Sequence, residues 1–185
     1  MALLGWNPGG EKEIMSLDEM IALFELKDIN TANPIFDIAK LQWMNGIYIR
    51  QLGIDELSEK LIIKNEKLRK LDEKDLKKLV ELSQSRMKTL NDFYELVKPI
   101  IEEPDVALSA SVKEIAKNVQ ERFSAMSQWN SEIVLEALKE IMAEKRIRMS
   151  VFYKIFPGKE SGLPLPQVLE LLGKEKVLQR LQKLL

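Results

Sequence analysis

The sequence predicts an all-α protein made of two consecutive helical bundles. Apolar residues recur at spacings of three, four and seven along most of the chain, as they do on one face of a helix. Residues that cap helices precede many of these stretches, and no alternating apolar and polar run predicts a strand. The 185 residues are 45% apolar and 31% charged, which is typical of a globular protein and sufficient for two small cores.

The first half of the chain contains several predicted helices. Ser16 and Glu19 form a capping box, and Asp37 and Asp72 are placed to cap two further helices. We expect Gly46 to break or bend the helix that follows Asp37. The apolar stripes of this half are Met20, Ile21 and Phe24; Leu41 and Met44; Leu57, Leu61 and Leu68; Leu76, Leu79 and Val80; and Leu90, Phe93, Tyr94 and Val97.

Two prolines predict the division of the chain. The last stripe of the first half ends near Pro99, and an acidic stretch follows up to Pro104 and Asp105. We therefore expect one helical domain over residues 1–98 and a second over residues 99–185.

The second half repeats the helical pattern with one irregular loop. Asn130 or Ser131 is expected to cap a helix, and Gly173 to end one. Prolines and glycines between Phe156 and Pro166 predict a loop. The apolar stripes are Val112, Ile115, Val119 and Phe123; Val134, Leu138, Ile141 and Met142; Val168, Leu171 and Leu172; and Val177, Leu181 and Leu184.

Composition excludes several classes of function. The chain has no cysteine and no histidine, so a thiolate metal site, a disulfide scaffold and a histidine-based catalytic centre are excluded. It contains no nucleotide-binding glycine motif and no nucleophile elbow, and the pairs Glu102–Glu103 and Asp72/Asp75 fit helix ends. We predict no catalytic residue and no metal ligand. No apolar run approaches the roughly 20 residues of a membrane span, and Met1–Leu4 lacks a basic signal region, so we expect a cytoplasmic protein.

Charge is uneven along the chain although the net charge is −1. From Lys145 to the end there are nine basic and three acidic residues, an excess of six positive charges. Such a stretch suits a polyanion, but it is equally typical of a solvated helical surface.

Arg86 and the tryptophans are candidates for contact with RNA bases. Arg86 lies among short polar residues between two helical stripes, where a planar guanidinium can extend past a helix end and donate to a base edge. Trp6, Trp43 and Trp129 could stack on bases. The alternatives are a solvated surface arginine and core tryptophans.

Three stretches resemble one family. The opening L-L-G-W-N-P-G-G at 3–10, followed by E-I-M-S-L-D-E-M-I at 13–21, is similar to the region after the catalytic core of bacterial glutamyl-tRNA synthetases. The stretch F-D-I-A-K-L-Q-W-M-N-G-I-Y-I-R at 36–50 resembles that family's F-D-x-x-K-L-x-W-M-N-G-x-Y-I-R. L-L-G-K-E at 171–175 and R-L at 180–181 resemble its closing residues. The resemblance therefore runs from end to end.

The resemblance implies an anticodon-binding region in which two helical bundles form a cage around the anticodon stem and loop of glutamate tRNA. The ATP-binding signatures H-I-G-H and K-x-S-K-[RS] of the family lie upstream and are absent from this chain. The chain is then expected to be a fragment that is inactive alone and binds no cofactor. Its expected partners are glutamate tRNA and the upstream catalytic domain, and the whole enzyme is expected to use ATP and Mg²⁺.

The resemblance also implies individual RNA contacts. Arg86 corresponds to the family arginine that recognises the third anticodon base and rejects glutamine tRNA. The family's R-x-A-L-T-G appears here as Y-K-I-F-P-G at 153–158, so Tyr153 replaces an arginine that helps to recognise the first base, and Lys154 or Tyr153 could substitute for it. The predicted RNA-binding residues are Arg86, Tyr153, Lys154, Lys159, Gly162, Leu163, Pro164 and Leu165.

Two other interpretations remain open from the residues themselves. The amphipathic helices suit a protein-interaction scaffold without RNA specificity, and the basic second half suits a DNA-binding domain. The family stretches favour an anticodon-binding module, for which we expect no membrane contact and no DNA contact.

Overall fold

A computed structural model of the chain describes residues 2–10, 12–30 and 35–185. Met1, Glu11 and residues 31–34 lie outside the described residues. The described residues form ten α-helices and no β-strand, which confirms the predicted all-α class. The helices are α1 Leu17–Leu23, α2 Ile38–Gln51, α3 Ile54–Lys64, α4 Glu73–Gln84, α5 Leu90–Ile101, α6 Ala110–Ala125, α7 Ser131–Lys145, α8 Met149–Ile155, α9 Leu165–Leu172 and α10 Lys174–Leu184.

Side-chain caps start the helices where the sequence predicts them. The Ser16 hydroxyl accepts from the Glu19 amide at 3.2 Å, and the Glu19 carboxylate accepts from the Ser16 amide at 2.9 Å. Asp37, Asp72 and Asn130 each accept a hydrogen bond from a backbone amide of the helix that they precede. Each cap satisfies amides that have no partner inside the helix, so these helix starts are decided locally.

Gly46 does not break α2, so of the predicted break or bend the break is wrong. The helix continues through Gly46 to Gln51. A Cβ atom at Gly46 would lie 3.2 Å from the Met87 carbonyl oxygen and 3.5 Å from the Lys88 Cα. The glycine therefore allows the chain around Met87 to approach the helix closely, a tertiary reason that the local sequence does not reveal.

The first bundle consists of α3, α4 and α5 with the end of α2. Its helices pack pairwise, α3 against α4 and α5, and α4 against α5. Its buried core contains Ile49, Leu57, Leu61, Leu68, Leu76, Leu79, Val80, Met87, Phe93 and Val97. These positions include most of the apolar stripes predicted for residues 57–97.

The second bundle consists of α6 to α10. Helix α6 packs against α10, α7 and α8, and α9 packs against α7 and α10. Phe123 is fully buried at its centre, where it meets the Trp129 ring edge-on at 5.1 Å and the Phe156 ring at 6.3 Å. Gly173 has φ +80° between α9 and α10, a left-handed conformation suited to glycine, as predicted for a residue that ends a helix.

Helix α5 and the segment after it connect the bundles. The helix includes Pro99 and ends at Ile101, two residues past its predicted end. Residues 103–109 then run without helix to α6. The cores also touch, because Leu163 and Val168 of the second half belong to the core of the first bundle. The division into residues 1–98 and 99–185 remains a prediction.

Residues 16–30 and 35–43, which we call the N-terminal segment, contrast with both bundles. All are exposed except Met20, which is half-buried. Tyr48 of α2 holds the chain immediately before the segment, since its hydroxyl donates to the Met15 carbonyl at 2.8 Å. The segment therefore lies on the outside of the described structure.

Candidate RNA-binding site

Arg86 projects from a rigid turn between α4 and α5. The Arg86 amide donates to the Ser83 carbonyl at 2.8 Å, and the neighbouring Met87 side chain is fully buried in the first core. Asn45 of α2 donates to the Lys88 carbonyl at 2.5 Å. These contacts fix the backbone of residues 85–89 against the first bundle, while the Arg86 side chain remains exposed.

Asp92 fixes the same turn from the start of α5. Its carboxylate accepts from the Lys88 amide at 2.8 Å, from the Thr89 amide at 2.9 Å and from the Thr89 hydroxyl at 2.9 Å. Burial raises the pKa of Asp92, but the hydrogen bonds outweigh this effect and hold the pKa below its ordinary value. The ionised carboxylate therefore stabilises the turn that carries Arg86.

The Arg86 side chain reaches the predicted loop of the second half. Its Nη1 donates to the Gly162 carbonyl oxygen at 2.7 Å, across 76 positions of the sequence. Two of the residues predicted for the site, from opposite halves of the chain, thus meet directly. Within the described part of the chain, Arg86 makes this one side-chain hydrogen bond. A guanidinium has five N–H donors, so this contact uses only one of them.

Tyr153 of α8 contacts the same loop as Arg86. Its hydroxyl donates to the Leu163 carbonyl oxygen at 2.8 Å. Its ring lies against Gly162, where an added Cβ would stand 3.5 Å from ring atom Cε1. Arg86, Tyr153, Gly162 and Leu163 therefore form one contiguous cluster, which we call the junction.

The two predicted lysines behave differently. Lys154 is exposed, and its Nζ lies 3.7 Å from the exposed carboxylate of Glu160. Lys159 donates from Nζ to the Glu95 carbonyl of α5 at 2.9 Å. Pro99 has no amide to offer the carbonyl four residues before it, which is that of Glu95, so Lys159 satisfies a carbonyl that the proline leaves free.

The three remaining predicted residues offer mainly backbone rather than side chains. The side chains of Leu163 and Leu165 are buried, and Pro164 is half-buried at the start of α9. Contact between RNA and Leu163 or Leu165 would therefore involve their main-chain groups, whereas the half-buried Pro164 also offers its ring. The tryptophans diverge as well, since Trp6 is buried, Trp129 is half-buried and Trp43 is 49% exposed.

Sequence reasoning missed Arg180 of α10. Its guanidinium donates to the carbonyls of Pro99 and Ile100, both at 2.9 Å, at the C-terminus of α5. Burial lowers the pKa of Arg180, while the nearby Glu103 carboxylate opposes this effect. The last carbonyls of a helix lack internal partners, so the end of α5 could have indicated a cation nearby, though not which one.

The paired carboxylates Glu102 and Glu103 are engaged in contacts rather than arranged for catalysis. The Tyr94 hydroxyl donates to Glu102 at 2.6 Å, and Lys183 donates to Glu103 at 2.6 Å. These hydrogen bonds lower the pKa of both carboxyls. No group of three or more acidic residues in the described ranges is placed to hold a metal ion.

Comparison with protein families identifies the chain. Residues 54–185 match the family model described as "Anticodon binding domain", which is more than half of the sequence. The chain belongs to the anticodon-binding domain family. The match covers α3 to α10, and therefore both bundles and the whole junction.

The curated relatives confirm the resemblance to glutamyl-tRNA synthetases. The chain is 32% identical over 198 residues to a glutamate–tRNA ligase of Clostridium botulinum, covering 98% of this chain and 41% of that protein. It is 31% identical to the ligase of Clostridium tetani, covering 98% of this chain and 40% of that protein. The anticodon-binding chain thus spans about two fifths of the length of these relatives.

Solved structures show the same fold. The structure of a glutamate tRNA ligase from Elizabethkingia meningosepticum, in complex with its amino acid, superposes with a TM-score of 0.81 at 24% identity, over 99% of this chain and 39% of that one. The glutamate-tRNA synthetase of Elizabethkingia anophelis gives 0.77 at 24% identity, over 99% and 38%. Within the described residues, no helix has the length and apolar character needed to cross a membrane.

Proposed function

We propose that this domain binds the anticodon stem and loop of a glutamate tRNA, and that the junction contacts the anticodon bases. The observation that carries the proposal is the hydrogen bond of Arg86 to Gly162. Two residues selected from separate stretches of sequence meet on an exposed surface between the bundles. A base lying over this point would face an arginine from one bundle and loop backbone from the other.

The chemistry of Arg86 favours cytosine over guanine. Arginine has only donors, cytosine presents the acceptors O2 and N3, and guanine presents N1–H and N2–H donors on the same edge. Opposite the third anticodon base, Arg86 would attract cytosine and leave the guanine donors facing its own. This is the base that would separate glutamate tRNA from glutamine tRNA in the proposed function.

The first experiment compares two RNA stem–loops that differ only in cytosine or guanine at the third anticodon position. Wild type should bind the cytosine RNA more tightly, by about 5- to 150-fold for a good bidentate contact. Arg86→Gln should narrow this ratio, because glutamine carries a donor and an acceptor and can face either base. Arg69→Gln, at an exposed arginine of the turn at Glu66–Lys70, is the matched control and should leave the ratio unchanged.

Three results would contradict the proposal at different levels. An unchanged ratio in Arg86→Gln removes Arg86 from base recognition and leaves it a phosphate contact. Equal binding of the RNA and of duplex DNA with equal charge, measured at one salt concentration, reduces the domain to general polyanion affinity. Absence of RNA binding favours the protein-interaction scaffold.

The two lysines allow phosphate contact to be separated from structure. Lys154→Ala should reduce the slope of log affinity against log salt by roughly one unit, as for one lost phosphate contact. Lys159→Ala should instead lower the free energy of unfolding, because the Glu95 carbonyl loses its partner. If both variants leave the salt slope unchanged, neither lysine meets a phosphate.

ATP and Mg²⁺ belong, in this proposal, to the longer enzyme. The described residues offer neither an acidic cluster suited to a metal nor a phosphate-binding glycine loop, so no step is assigned to either group here. The domain alone should give no ATP–pyrophosphate exchange. Measurable exchange by the pure domain would contradict this assignment.

The partner proposed for the N-terminal segment is the part of a glutamate–tRNA ligase that this chain does not span. The segment exposes large apolar side chains, among them Ile35 at 92%, Leu26 at 80% and Leu17 at 71%. An open groove of about 470 Å³ is lined by Trp6, Ile21, Phe24 and their neighbours. Apolar surface of this kind marks an interface, and about three fifths of the relative's own length lies outside the matched region and could cover it.

Mixing experiments test this partner. The part of the Clostridium botulinum ligase outside the matched region, produced separately, should bind the domain in sedimentation. Ile21→Gln with Leu26→Gln should weaken the complex, whereas Ile63→Gln, at a 78% exposed position of α3, should not. A homodimer that the same double substitution dissolves would instead assign the surface to a second copy of the domain. A domain that neither binds nor dimerises would contradict the interface.

A further inference from the structure

Two consecutive carbonyls of the loop at 156–164 are held by residues from different bundles. Arg86 of the first bundle donates to the Gly162 carbonyl at 2.7 Å, and Tyr153 of the second donates to the Leu163 carbonyl at 2.8 Å. The loop end is therefore fixed between the two side chains. The two carbonyls belong to adjacent peptide units, so we expect the loss of one contact to loosen the other.

We infer that Tyr153 is a positioning residue that acts on base recognition through Arg86. Its hydroxyl fixes the loop, and the Gly162 carbonyl in turn holds Nη1 of Arg86, a contact that does not use the Nε–Nη2 edge of the guanidinium. The inference rests on the proposed function, and it extends that function from the arginine to the device that orients it.

The geometry of a guanidinium explains why one carbonyl is sufficient. The group is planar, and its Nε–H and Nη2–H bonds point the same way as a two-pronged donor. A hydrogen bond to Nη1 restricts rotation of the plane while leaving that second edge unused. An arginine without such a contact distributes its long side chain over many rotamers and presents its donors to a base less often.

The position of Tyr153 favours this indirect role over direct contact with RNA. The side chain is half-buried, its hydroxyl proton is engaged by the loop, and its ring packs against Gly162.

The start of the loop has separate anchors. The Lys159 amide donates to the Tyr153 carbonyl at 3.2 Å, and Lys159 Nζ donates to Glu95. Gly158 has φ +67°, and a Cβ there would come within 2.8 Å of Val106, so glycine is required on both counts. Removal of the Tyr153 hydroxyl should therefore release residues 162–163 and leave residues 158–159 in place.

The RNA test uses Tyr153→Phe and the two stem–loops that differ at the third anticodon base. The ratio of affinities should narrow by about two- to tenfold, the amount expected for one neutral hydrogen bond. In the Arg86→Gln background, Tyr153→Phe should narrow the affinity ratio no further, because Tyr153 acts through Arg86. Tyr94→Phe removes a hydroxyl that donates to Glu102 at 2.6 Å and is the matched control, with an unchanged ratio.

Nitrogen NMR of the Arg86 guanidinium tests the link without RNA. In wild type the rotation of the Arg86 guanidinium should be slow. It should become fast in Tyr153→Phe and stay slow in Tyr94→Phe. Unchanged rotation in Tyr153→Phe overturns the inference, as does an unchanged affinity ratio or a ratio that narrows equally in the Arg86→Gln background. Wild type without preference between the RNAs overturns the proposed function instead, and the NMR result then decides separately whether Tyr153 holds Arg86.

Discussion

The N-terminal segment and the second bundle use similar sequence patterns with opposite results. Each contains a helix with a side-chain cap, α1 and α7, and apolar residues at helical spacing, yet Leu17, Ile21 and Phe24 are exposed, whereas Val119 and Phe123 are fully buried. The difference is whether a partner surface lies within the same chain. Periodicity predicts which face of a helix is apolar, and it is silent on what covers that face.

The largest expected effect comes from deleting one aromatic ring in each region. Phe123→Ala should cost about 3–5 kcal/mol in the free energy of unfolding, because the ring is fully buried against Trp129 and Phe156. Phe24→Ala, at a side chain that is 46% exposed, should cost much less. Urea denaturation of the two variants measures both values. Equal costs would mean that the N-terminal segment packs in solution as tightly as the bundle.

Loss of a polar contact should also cost more stability in the second bundle than in the N-terminal segment. Arg180→Met keeps an apolar side chain but removes the donors to the Pro99 and Ile100 carbonyls, with an expected cost of about 1.5–3 kcal/mol for hydrogen bonds to a charged group. Lys12→Met breaks the 2.7 Å pair with Glu19 of the N-terminal segment, where both side chains are about half exposed. Solvent screens such a pair, so its loss should be undetectable.

Thermal unfolding at low and high salt separates these two cases. The loss caused by Arg180→Met should persist at high salt, since the donors contact carbonyls at a half-buried helix end. A loss that disappears with salt would show that Arg180 contributes as a surface charge, and that the connection between the bundles depends on apolar packing alone.

Local features of the fold were predictable, and features with distant causes were not. The caps Ser16, Asp37, Asp72 and Asn130 are confirmed because a cap and the amide that it serves lie two or three residues apart. The break predicted at Gly46 is wrong, because the reason for a glycine there, the Met87 carbonyl, is 41 residues away. The apolar residues of α1 are likewise periodic and correctly helical, yet exposed.

In the junction, too, the choice of residues was predictable from the sequence and the contacts between them were not. The residue types at Arg86 and Gly162 were selected from sequence, and their roles toward RNA stay predictions. Their direct contact, and that of Tyr153 with Leu163, connects residues distant in the chain and follows from the packing of two bundles. The need for a donor at the Glu95 carbonyl was within reach, because a proline inside a helix leaves one carbonyl to be satisfied, but the identity of the donor, Lys159, was not.

The smallest expected effect concerns two carboxylates that cap helices, one in the first bundle and one in the N-terminal segment. Asp92 fixes the turn beneath Arg86, and Asp37 caps α2 at the edge of the N-terminal segment. The folded pKa of Asp92 is depressed, so its contribution to stability is present above the unfolded pKa, near 3.9, and is lost as pH falls through the lower folded value. Asp92→Asn keeps one acceptor and loses the other, which should cost about 1 kcal/mol at pH 7. That cost should shrink as the pH falls below about 4, because acid then protonates the wild-type carboxylate as well.

Asp37→Asn should leave global unfolding unchanged, since asparagine also caps helices and the start of α2 is exposed. Urea denaturation at several pH values measures both variants. A cost for Asp92→Asn that stays constant into acid would show that the ionised carboxylate does not hold the turn, and that Arg86 is positioned from the loop alone.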